Sequence, residues 1–65
     1  MNDIQVTNKL GVLKLYQATA TDVATGISRT AESDRLNEAR GTATRELCSA
    51  LAALRLADEL DGGAA

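Results

Sequence analysis

Residues 9–31 read KLGVLKLYQATATDVATGISRTA, and the rest of the chain follows from how this stretch is taken. Leu10, Leu13, Tyr16, Ala20, Val23, Ile27 and Ala31 recur at spacings of three and four, the period that lines one face of a helix. Lys14, Gln17, Thr21, Asp22 and Thr25 lie between them, mostly on the other side. The composition suits a helix less well. Gly11 and Gly26 each cost about 1 kcal/mol relative to alanine, and Thr19, Thr21 and Thr25 lose rotamer freedom. A period of two also runs through Val12, Tyr16, Ala18 and Ala20, and the β-branched content favours a strand. The three-and-four spacing predicts a helix over about 9–31.

Leu36 lies nine residues beyond Ile27, about half a turn out of step with that stripe. The polar stretch Ser28–Asp34 (SRTAESD) sits where a turn would fall, and Ser33 or Asp34 is placed to cap a new helix. From there Leu36, Ala39, Ala43, Leu47, Ala50, Leu54 and Ala57 form an unbroken helical stripe, predicting a second helix over about 34–60. Gly41-Thr42 offers a later start. Glu32 and Asp34 favour the earlier one, because anions are stabilised near a helix N-terminus. Gly62-Gly63 is the expected stop, leaving 61–65 as a tail. Residues 1–8 alternate at Ile4 and Val6 and read as an extended arm or a short strand. The expected fold is therefore all-α. It is a helical hairpin, or two long helices with a short N-terminal arm, in one small module spanning 1–65.

Such a module is hard to close alone. At 65 residues a lone core rarely supplies more than about 3–5 kcal/mol, and chains of this size usually add disulfides, a metal or oligomerisation. Cys48 has no second cysteine to pair with, and without histidine a closed structural zinc site is excluded. Aromatics make up only 2% of the chain, so the apolar surface comes from alanine and leucine. From Leu47 onward the apolar face, broadened by Leu51, Ala53, Leu56 and Leu60, is wider than one neighbouring helix covers. Completion by oligomerisation or by docking to a protein partner is expected, with Tyr16, Leu36, Leu47, Leu51, Leu54, Leu56 and Leu60 at the interface.

The same inventory argues against catalysis. Cys48 has no histidine to make a thiolate, and its neighbours Leu47, Ala50, Leu51 and Ala52 predict a buried, inert thiol. Asp58, Glu59 and Asp61 are the densest carboxylates, but Ca²⁺ wants six or more oxygen ligands and no EF-hand spacing is present. Gly62-Gly63 lacks the Lys-Ser/Thr of a phosphate loop. No catalytic residue, metal or cofactor is expected.

Net charge is −2 and the seven basic residues are scattered, so nucleic-acid binding is not expected. The longest apolar run, Ala50–Leu54, is far short of the roughly 20 residues of a membrane span, and no basic-then-apolar leader is visible. A cytoplasmic or virion location, without a cleaved signal peptide, is expected. The leading functional expectation is a non-enzymatic structural subunit of a larger assembly. A small virion component, such as a bacteriophage head or tail protein, fits it, as does an accessory subunit of a bacterial complex.

The alternative is a small dimeric DNA-binding regulator or antitoxin. A strand near residues 3–8 followed by two helices breaking at Gly41 is similar in layout to ribbon-helix-helix proteins. Asn2, Gln5 and Lys9 would then face the major groove beside an adverse Asp3.

Overall fold

The computed structural model describes the backbone of residues 3–64 and the side chains of residues 3–60. Three strands, β1 (Ile4–Leu10), β2 (Tyr16–Asp22) and β3 (Ser28–Ser33), precede one helix, α1 (Leu36–Ala64). The strands form an antiparallel meander in the order β1-β2-β3. The helix lies across one face, mainly over β2 and β3. The fold is α+β. This overturns the all-α expectation: the helix predicted over 9–31 is replaced by the end of β1, all of β2 and most of β3. The ribbon-helix-helix layout is also absent, because three strands precede the helix and α1 passes through Gly41 without a break.

The period of two is the one that folds. In β2, Ala18, Ala20 and Asp22 are buried and alternate with half-buried Gln17, Thr19 and Thr21. The register carries this pattern across the sheet. Ile4, Val6, Ala18, Ala20, Asp22 and Ala31 share the helix-facing side, and Thr7, Thr19 and Thr30 line up across the opposite one. One face packs and the other stays polar, as antiparallel sheets allow. On the open face the Thr19 and Thr30 hydroxyls lie 2.9 Å apart in a hydrogen bond.

Both hairpin connections are locally specified. The β2–β3 turn is tied by Asp22, whose Oδ2 accepts from the Thr25 backbone N–H at 3.3 Å and from the Thr25 hydroxyl at 2.7 Å. Gly26 closes it at φ 77°, a left-handed conformation that costs other residues about 1–2 kcal/mol. The β1–β2 loop, residues 11–15, is closed by the Gly11 N–H donating to the Leu15 carbonyl at 3.1 Å. A Cβ at Gly11 would run into the Lys14 carbonyl oxygen, so only glycine fits.

The core is thin. Ala18 and Ala20 meet Ala39, Ala43 and Leu47, with Ile4, Val6, Ile27, Ala31 and Leu51 packed around them. Alanine on both sides lets the helix approach the sheet closely. Leu47 is the largest fully buried side chain. Truncating such a leucine costs about 2–5 kcal/mol, comparable with the whole stability of a chain this short.

The second helix of the sequence reading is present as α1, starting at Leu36. Ser33 Oγ accepts from the Arg35 N–H at 3.2 Å just ahead of it, while Asp34 is used elsewhere. Gly62 and Gly63 do not stop it, and the helix continues to Ala64. At 1.5 Å per residue α1 is roughly 43 Å long, against roughly 23 Å for a seven-residue strand. The molecule is accordingly elongated, 47 × 18 × 16 Å. Residues 52–60 are exposed throughout and project past the end of the sheet that carries the β2–β3 turn.

Candidate functional site

Nine large apolar side chains are conspicuously exposed among the described residues, and they fall into two groups at opposite ends of the long axis. At one end stand Leu10, Val12, Leu13, Leu15 and Tyr16, in and beside the β1–β2 loop. At the other stand Val23, in the β2–β3 turn, and Leu54, Leu56 and Leu60 on the projecting part of α1.

The first group is held in place by carboxylates. Glu32, at the end of β3, accepts three successive backbone N–H groups on one oxygen: Val12 at 2.7 Å, Leu13 at 2.9 Å and Lys14 at 3.1 Å. Its other oxygen receives the Gln17 amide at 3.4 Å, and Asp34 Oδ1 takes the Leu15 N–H at 3.2 Å. The backbone donors, Lys14 first and then Leu13, hold the Glu32 carboxyl below the ordinary glutamate range, with partial desolvation opposing them. With its amides turned inward to Glu32, the loop leaves Val12 and Leu13 more than four-fifths exposed. Surface loops are ordinarily polar, and an apolar tip braced on its own sheet has the form of a preformed contact element.

Of the second group only Leu54 lines a shallow depression of about 200 Å³ between the β2–β3 turn and α1, together with Asp22, Thr25, Leu51, Arg55 and Asp58 among others; Leu56 and Leu60 fall on the other side of the helix. Asp22 is 2% exposed, and its Oδ1 has no hydrogen-bond partner among the described residues. A buried, unpaired carboxylate oxygen carries a desolvation cost of about 1–3 kcal/mol or more, so the site favours a donor arriving from outside.

The expected interface residues divide. Leu54, Leu56 and Leu60 are exposed on one projecting segment. Tyr16 is 37% exposed beside the apolar tip, and Leu36 and Leu51 are half-buried, Leu51 against the core. Leu47 reaches no surface; it is a core residue of its own chain. Cys48 is exposed rather than buried, because the helix turns its position away from the sheet beside Leu47. Leu10, Val12, Leu13 and Leu15 were not expected as a surface group, since the helical reading placed Leu10 and Leu13 on a packed stripe. Their density around Gly11 was the available signal.

Among the described residues no cluster of three metal-ligating side chains forms, and no helix is long and apolar enough to cross a membrane. No protein-family model, curated protein or solved structure matches the chain.

Proposed function

We propose that this protein is a non-enzymatic structural subunit that docks to other protein surfaces through its two apolar ends. The observation that carries this reading is the braced tip: five large apolar side chains stand exposed in and beside a loop three of whose amides are gathered onto Glu32. An apolar group this concentrated marks an interaction surface more often than a solvated one. The projecting half of α1 supports it. A helix segment of this length without tertiary cover is marginal in water, and a partner would supply the missing burial. The scattered surface charges would then fix register rather than affinity.

The test is co-purification of the tagged full chain from its native source, beside Leu13→Asp and Leu56→Asp variants. The expected result is a stoichiometric protein complex that is lost with either substitution, while the far-UV circular dichroism of each variant is unchanged. A chain that elutes alone, or whose partners ignore both substitutions, contradicts the proposal.

A further inference from the structure

We infer that the occupant of each apolar end is the opposite end of a second copy of this chain, so that molecules join head to tail. This rests on the interaction-subunit reading above and names its partner.

Charge complementarity supports it. The tip group carries Lys9 and Lys14, both exposed, with Arg35 close by at the same end of the sheet. Glu32 and Asp34 at the same end keep their negative charge but direct it onto backbone amides of the loop, and neither pairs with Lys9 or Lys14. The helix end carries Asp58 and Glu59, both exposed, with Asp3 beside the β2–β3 turn, where its carbonyl receives the Val23 N–H at 3.0 Å. The exposed lysines beside one apolar patch thus meet, in the next copy, the Asp22, Asp58 and Glu59 carboxylates beside the other, which outnumber Arg55 there. The chain's net charge of −2 conceals this polarity.

The depression supplies a second observation. Among its charged lining groups, Asp22 and Asp58 outweigh Arg55, and the Asp22 Oδ1 lacks a donor. Its volume of about 200 Å³ suits a single long side chain. Lys14 stands at the apex of the loop between Leu13 and Leu15. In the head-to-tail arrangement its ammonium enters beside Asp58 and supplies the donor that Asp22 lacks. Leu13 and Leu15 then settle on Leu54, Leu51 and Val23.

Because the two surfaces differ and sit at opposite ends of the sheet, the contact is heterologous. It makes an open filament or a closed ring, whereas an isologous pair would stop at two copies. A membrane surface would account for the tip and its lysines but leaves the acidic apolar end and the unpaired Asp22 oxygen without a role.

The test uses the purified full chain in native mass spectrometry and sedimentation velocity from about 1 µM to 1 mM at low salt. The wild type is expected to give a concentration-dependent ladder or ring, weakened by salt. Leu13→Asp, with a spoiled tip, and Leu54→Asp, with a spoiled tail, are each expected to remain monomeric with unchanged circular dichroism, both side chains being exposed. Mixed in equal amounts they are expected to form a one-to-one dimer and nothing larger, since one intact tip and one intact tail remain. Lys14→Glu is expected to weaken association at least tenfold, and adding Asp58→Lys protein is expected to restore the ladder or ring, because both contacts of the alternating pair are then charge-matched. A wild type that is monomeric throughout overturns the inference, as does a dimer that survives Leu13→Asp, or a monomer whose tip binds anionic vesicles. If the purified chain is monomeric while the co-purifying complex still depends on Leu13 and Leu56, the self-association falls and the interaction-subunit reading stands.

Discussion

Glu32 does for residues 11–15 what a longer loop would need several side chains to do. Charge-assisted hydrogen bonds to backbone N–H groups are stronger than neutral ones, and here three converge on one oxygen. The folded-state pKa of Glu32 is depressed, so the sign of its pH dependence is fixed. The stabilisation is fully present above the unfolded value of roughly 4.3, and it is lost as pH falls through the lower folded value. Protonation should therefore release the tip. The expected outcome of an NMR titration is a concerted upfield movement of the Val12, Leu13 and Lys14 amide protons at acid pH. In Glu32→Ala those amides should already sit at the shifted position at pH 7 and show no such step. A wild-type loop insensitive to this titration would mean that the carboxylate does not hold it.

Helix α1 was legible because its apolar stripe runs from Leu36 to Ala57 with hardly an interruption, long enough to override Gly41. The sheet was not, for reasons that lie in particular side chains. The buried positions of β2 are Ala18, Ala20 and Asp22, two small residues and a polar one, so the alternation that marks a strand is nearly silent in hydropathy. Meanwhile the large residues Leu10, Leu13 and Tyr16, which produced a helical rhythm, are surface groups around a loop. The candidate site was half-legible for the same reason. Leu54, Leu56 and Leu60 stood out as surplus to one helix face, whereas the bracing of residues 12–14 by Glu32 links positions 18 to 20 apart and leaves no local signature. Gly41 shows how the helix tolerates a residue that its own propensity disfavours. Nothing lies within 4 Å of where a Cβ would sit, and its φ is not left-handed. Gly41→Ala should therefore stabilise the chain by about 0.5–1 kcal/mol, through the smaller conformational entropy of the unfolded state. Urea denaturation should show a higher midpoint at unchanged slope; a lower midpoint would place an unseen contact at that position.

The molecule as a whole joins a core of alanines and one fully buried leucine to two exposed apolar ends, and the proposed end-to-end contact would make its stability a function of concentration. A lone chain of this length has about 3–5 kcal/mol to draw on. A contact made only by the folded form adds RT ln(1 + [L]/Kd), about 2.7 kcal/mol when the free protein is 100 times its dissociation constant. For a domain of this size each kcal/mol moves the melting temperature by about 4–8 °C. The melting temperature followed by circular dichroism should therefore rise by roughly 10–20 °C between dilute protein and protein well above its dissociation constant. Leu13→Asp should melt at one temperature across the same range, close to that of the dilute wild type, because the substituted side chain is exposed and the core is untouched. The comparison separates two origins of stability that a single melting curve merges. A wild type whose melting temperature ignores concentration must be stable through its own thin core, and the exposed leucines at both ends would then contribute nothing to holding the folded state.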